Sequence, residues 1–109
     1  MPRFMLTYLG GEQPSSPEEG KENMARYMAW LESLGDAAIS PANPLKGTCT
    51  VNPDGSVTEG GVTSMSGFTI IETDSMDHAL AFAEQCPFLD VGGSLEVSEV
   101  IRMPQPENS

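Results

Sequence analysis

Basic residues are scarce in this chain: five lysines and arginines stand against sixteen aspartates and glutamates, a formal charge of −11. With no basic stripe to displace counterions from phosphates, nucleic acid is excluded as a partner, and the same balance disfavours an anionic membrane surface. Long apolar runs are missing as well; the amino-terminal stretch Met1 to Gly10 is too short for a signal-peptide core or a membrane span. One histidine and two cysteines, Cys49 and Cys86, leave no ligand set for zinc. The cysteines read as buried or half-buried thiols of a cytoplasmic protein, with a single disulfide as the other reading. No nucleotide, flavin, haem or metal motif is present, so no cofactor is expected. Gly10-Gly11 and Gly92-Gly93 lack both the strand-to-helix setting and the following lysine of a phosphate cradle.

What is present is 109 residues, enough for one small domain. That domain is expected over residues 1–102, with 103–109 as a frayed tail: two prolines and no apolar anchor follow Met103. Pro2 to Leu9 alternates as a strand, Phe4, Leu6 and Tyr8 on one face. Ser16-Pro17-Glu18-Glu19 is a helix start with a capping serine, a proline at the first helical position and a capping-box glutamate. The helix should run from Pro17 to about Leu34 and stop at Gly35 in a left-handed conformation. Met24, Tyr27, Met28, Leu31 and Leu34 recur at spacings of three and four and predict a stripe facing a sheet, with Trp30 at its edge.

From Asp36 to Val51 the chain reads as one or two irregular strand pieces broken by Pro41 and Pro44, an edge or a kinked segment near a sheet margin. Asn52-Pro53-Asp54-Gly55 is a hairpin turn leading into a strand over Val57 to Val62, with a bulge expected at Gly60-Gly61. Gly67 to Thr73 is a strand with Phe68 and Ile70 on one face and Ile71 on the other. A second helix, Met76 to about Gln85, is capped by Asp74 or Ser75, and its stripe is Met76, Ala79, Leu80 and Ala83. Pro87 ends it. The last strand, Ser94 to Arg102, points Leu95, Val97 and Ile101 inward.

Strand, helix, strands, helix, strand is the order of the α+β ferredoxin-like sandwich, an antiparallel sheet with both helices on one face. Its other face is then bare. Phe4 or Met5, Phe68 or Ile71, and Val97 would each forfeit ~1.5–3 kcal/mol if left wet. A homodimer stacked through the open sheet face is the simplest remedy, and a domain of this size, burying only ~60–70% of its chain's surface, gains from it.

The runs Tyr27 to Asp36, Pro41 to Leu45, Asp54 to Gly60, Gly67 to Asp77, Cys86 to Leu89 and Gly92 to Val97 together resemble the YCII-related (DGPF) family, from Arg3 to Ile101. The resemblance implies a dimeric α/β barrel and proposed small-molecule enzymes, a chloromuconolactone dehalogenase among them. Two departures stand out. The tetrapeptide that names the family falls at Glu59-Gly60-Gly61-Val62, with its aspartate, proline and phenylalanine replaced. The His–Asp pair proposed for compact members falls, counting back from Gly35, at Met24 and Ser33. That pair's chemistry is therefore not carried over.

The remaining residues give a shortlist for a small-molecule ligand. Tyr27 and Trp30 have two readings: core of the helix–sheet interface, or polar tips lining a cleft. Asp36, Ser40 and Asn43 follow on the proline-broken segment, where short polar groups can meet a ligand; Ser64 and Ser66 precede Gly67 nearby. His78 reads as a surface residue, and Glu59 with Glu72 or Glu96 with Glu99 as accidental pairs in an acidic chain. A cofactor-independent lyase, isomerase or dehalogenase-like reaction on a small organic acid or ring compound is the expected function. A non-catalytic ligand-sensing or protein-interaction module is the alternative.

Overall fold

The computed structural model describes residues 1–102; the expected tail, 103–109, lies outside the described residues. Strand β1 (Arg3–Gly10) leads into helix α1 (Pro17–Leu34), a 3-10 turn and strand β2 (Ala38–Pro44). A short hairpin of β3 (Cys49–Val51) and β4 (Val57–Glu59) follows, then β5 (Met65–Glu72), helix α2 (Met76–Glu84), a 3-10 turn over Pro87–Val91 and β6 (Gly93–Val100). The four long strands form one antiparallel sheet in the order β2-β5-β1-β6, and both helices cover the same face. This is the α+β ferredoxin-like arrangement expected from the element order.

Alternation decides which face each residue takes. Phe4, Leu6 and Tyr8 of β1 lie opposite Ile71, Thr69 and Gly67 of β5 and opposite Glu99, Val97 and Leu95 of β6. Those on the helix side build the core with Trp30, Leu31, Leu34, Ala79, Ala83 and Cys86. Met5, Leu9, Phe68 and Ile70 take the open face and are half-buried. Val97, expected on the open face as well as inward, packs on the helix side. Ile101 lies beyond the end of β6 and is 78% exposed, not inward.

Helix α1 begins and ends where its signals place it. The Ser16 hydroxyl accepts from the Glu19 amide at 3.1 Å, and Pro17 takes the first helical position. The glutamate does not close the expected box: its carboxylate accepts from the amide and hydroxyl of Ser15, one residue earlier. Gly35 stops the helix at φ 55°, ψ −130°, a positive-φ conformation other than the left-handed helical one. On α2 Ser75 is the cap, accepting from the His78 amide. Here Ala79 and Ala83 are buried, while Met76 and Leu80 are exposed, because alanines bring the short helix close to the sheet and leave larger neighbours at its rim.

The two prolines put β2 at the sheet edge, as expected. The hairpin turn at Asn52 to Gly55 also forms, but β4 ends at Glu59 and Val62 is exposed. The hairpin is a separate two-stranded sheet. The molecule measures 51 × 39 × 21 Å with a radius of gyration of 16.0 Å, against ~13 Å for a compact chain of ~100 residues. Both cysteines are free; Cys86 is buried and Cys49, expected to be at least half-buried, is exposed. No helix among the described residues is long and apolar enough to cross a membrane.

Candidate functional site

The apolar stripe of α1 serves two surfaces. Its carboxy-terminal half, Leu31 and Leu34, sinks into the core, and Trp30 joins it at 5% exposure instead of sitting at the edge. Its amino-terminal half does not reach the sheet: Met24 and Met28 are 57% and 49% exposed. They overhang a cleft of about 460 Å³ between α1 and the end of the sheet. Gly20, Asn23 and Tyr27 continue the same wall of the helix. The floor comes from Tyr8 and Gly67, and the far sides from Ala42 to Pro44 of β2 and from Pro87, Phe88 and Val91.

Close approach at three glycines shapes these walls. A Cβ on Gly67 would stand 2.9 Å from the Asn43 carbonyl oxygen and 3.3 Å from the Pro44 Cα, so β2 lies against β5 only because nothing projects there. Gly11 and Gly93 flank the Phe88 ring: a Cβ would come within 2.8 Å of it at Gly11 and 2.1 Å at Gly93. One glycine from each of the two pairs that do not cradle phosphate thus seats an aromatic side chain in the cleft wall. Phe88 in turn meets Tyr8 edge to face, centroids 5.4 Å apart, and Tyr8 meets Tyr27 likewise at 5.8 Å.

Three hydroxyls and a carbonyl are linked beneath this aromatic floor. Tyr27 donates to the Tyr8 oxygen at 3.0 Å, Tyr8 lies 2.5 Å from the Thr69 hydroxyl, and Thr69 donates to the Pro41 carbonyl at 2.6 Å. Burial pushes the Tyr8 phenol far up, so it stays protonated. Burial likewise raises the Cys86 thiol, to about 11.

Of the six shortlisted residues, Tyr27, Asn43 and Ser66 line the cleft. Asn43 spends its amide protons on the Ser40 carbonyl and hydroxyl and on the Phe68 carbonyl, tying β2 to β5. Ser66 donates to the Tyr8 carbonyl at 3.4 Å. Trp30, Asp36 and Ser40 are elsewhere. Trp30 donates its indole N–H to the Phe82 carbonyl at 2.9 Å, bracing α1 against α2; Asp36 is exposed in the 3-10 turn after α1; Ser40 is the partner of Asn43.

The shortlist omits Tyr8, Glu12, Asn23, Met24, Met28 and Phe88, all of which line the cleft. Met24 and Met28 were expected to face the sheet with the rest of the stripe, and spacing alone did not separate them from Leu31 and Leu34; Glu12, in a glycine-rich loop, gave no signal. Of the two positions to which the resemblance assigns the His–Asp pair, Met24 is in the cleft wall, whereas Ser33 is turned to the Trp30 carbonyl. His78 is exposed and paired with Asp74. Glu72 pairs with Arg3, and none of Glu59, Glu72, Glu96 or Glu99 lines the cleft. Among the described residues no three His, Cys, Asp or Glu side chains gather as a metal site.

This architecture has known counterparts. The solved 5-chloro-2-hydroxyhydroquinone dehydrochlorinase TftG from Burkholderia phenoliruptrix AC1100, in complex with 2,5-dihydroxybenzoquinone, superposes with a TM-score of 0.55 at 24% identity, over 97% of each chain. No curated protein matches the sequence. The family model described as the YCII-related domain matches residues 4–104, and the chain therefore belongs to the YCII-related family.

Proposed function

We propose that this chain binds a small, largely apolar ring compound in the cleft and acts on it without a cofactor, in the elimination class of the dehydrochlorinases, with Glu12 as the acid–base group. The carrying observation is the cleft itself. Its volume of about 460 Å³ falls in the ~300–1,000 Å³ range of ligand sites, and its thioether and aromatic walls converge on a few polar groups. The similar fold of a dehydrochlorinase holding a one-ring ligand supports the reading. Glu12 is the carboxylate among the lining side chains, and a positioned carboxylate supplies ~10²–10⁴-fold as a general acid or base. None of the five cations Arg3, Lys21, Arg26, Lys46 and Arg102 is in the lining, which favours a neutral ligand over an anionic one.

Chloride release from a chlorinated hydroquinone tests this reading. Met24→Trp, which fills the cleft from an exposed helix position, is expected to abolish binding. Glu12→Gln is expected to lower turnover ~10²–10⁴-fold with binding changed only a few-fold. Undiminished turnover in Glu12→Gln removes the base; undiminished binding in Met24→Trp removes the site. A non-catalytic ligand sensor is the second reading, favoured by the thioether of Met24 in the cleft wall, at the position where the family resemblance implies a histidine in compact members. Ring binding without chloride release is its signature.

The open sheet face supports assembly with a second copy, stacked over Met5, Leu9, Phe68 and Ile70. Ile70→Arg is expected to give a folded monomer in sedimentation at micromolar concentration. A dimer of unchanged affinity would place the interface elsewhere. Two free thiols suit a reducing compartment, and we place the protein in the cytoplasm.

A further inference from the structure

The polar chain under the cleft starts from a proline. Ser40 pairs with Ile70 and Asn43 with Phe68, so Pro41 and Ala42 together oppose Thr69 in a bulge. Pro41 has no N–H for the ladder, and its carbonyl accepts from the Thr69 hydroxyl at 2.6 Å. A carbonyl only accepts, so Thr69's single proton is committed there. At 2.5 Å from the Thr69 oxygen, the Tyr8 hydroxyl must then donate to it. Tyr8's proton is committed in turn, and Tyr27, 3.0 Å away, donates to Tyr8. The opposite direction would leave the Thr69 and Pro41 oxygens 2.6 Å apart with no proton between them.

We propose that this one-way chain makes Tyr27 a hydrogen-bond acceptor towards the cleft, so that the site selects ring compounds bearing a hydroxyl donor over their ether or ketone counterparts. The proposal rests on the reading of the cleft as a ring-compound site and names the class of ring. The neighbouring side chains agree with it. Asn43 has both amide protons engaged, and Ser66 donates to the Tyr8 carbonyl. Glu12 adds a carboxylate, an acceptor when ionised. Asn23, whose oxygen accepts from Arg26 at 2.6 Å, keeps its amide protons for a ligand oxygen at the α1 wall. A ring with one hydroxyl over Tyr27 and a second oxygen towards Asn23 satisfies both ends.

The test is an anaerobic NMR titration of the full chain with hydroquinone and with 1,4-dimethoxybenzene, which has the same ring and no donor. Wild type is expected to prefer hydroquinone about 5–10-fold, the worth of one neutral hydrogen bond. Tyr27→Phe, at a half-buried position, should reduce that ratio to near one. In Thr69→Val the Tyr8 proton loses its acceptor and turns to Tyr27, whose own proton then faces the cleft. The preference should fall to near one, because a hydroquinone oxygen accepts as an ether oxygen does, and Thr69→Ser should restore that of wild type. Equal affinities in wild type, or a hydroquinone preference that survives Tyr27→Phe, overturn the proposal while leaving the cleft a ring site. Failure of both probes to bind overturns the cleft reading and this proposal with it. Should Thr69→Val fail to fold, the Tyr27→Phe comparison decides alone.

Discussion

Gly93→Ala is expected to destabilise the protein and to close the cleft at once. The added methyl would lie 2.1, 2.4 and 2.6 Å from three carbons of the Phe88 ring, and Gly11 backs the same ring, a Cβ there coming within 2.8 Å. Clamped between two backbones, the ring can escape only towards the cleft it already lines. Forcing it there costs ~1–3 kcal/mol, as overpacking does, and places aromatic carbon where a ligand would sit. Gly93 is the informative member of the pair because Gly11 has φ +93°, so its substitution would mix backbone strain with the clash. The denaturant midpoint and ligand affinity of Gly93→Ala, Phe88→Ala and the double variant separate the effects. Truncating the ring should remove the penalty of the methyl, a coupling of ~1–3 kcal/mol. Additive losses would show that the clash is relieved by some other movement.

The same residues show what a sequence can and cannot disclose. Helix α1 was legible end to end because its signals act locally, Ser16 through its hydroxyl on the Glu19 amide and Pro17 and Gly35 through their own backbones. The fold class followed from the succession of elements, and the place of β2 at the sheet margin from two missing N–H groups. Periodicity reports which side of a helix is apolar, not what covers it. Met24, Met28, Leu31 and Leu34 form one stripe by spacing, yet half of it meets a sheet and half a cleft. The cleft's other parts are invisible for a related reason. Tyr8, Thr69 and Pro41 are joined by hydrogen bonds across 61 and 28 positions of chain, and no local pattern encodes such a meeting. Trp30 was the ambiguous case, since an amphipathic side chain at a stripe's edge fits a core and a cleft equally well.

Trp30→Ala should settle that ambiguity through stability, with the largest loss of any single truncation considered for this fold. The indole is 5% exposed among Leu31, Leu34 and the alanines of α2. Removing a buried tryptophan costs ~3–5 kcal/mol, a large share of the ~5–15 kcal/mol that holds a domain together. The substitution also leaves the Phe82 carbonyl without the N–H that reaches it at 2.9 Å. Trp30→Phe isolates that second part: most of the apolar volume stays, and the unpaired carbonyl should cost ~1–3 kcal/mol. Because Tyr27 stacks against Trp30 with centroids 5.9 Å apart, some loosening of Tyr27 is expected in the alanine variant. Trp30→Phe keeps a ring in that position and should bind cleft ligands as wild type does. A Trp30→Phe protein of wild-type stability that lost ligand affinity would reverse the assignment and return the indole to the site. The opposite pattern makes Trp30 the brace that fixes α1, and through it the wall of the cleft, against the rest of the molecule.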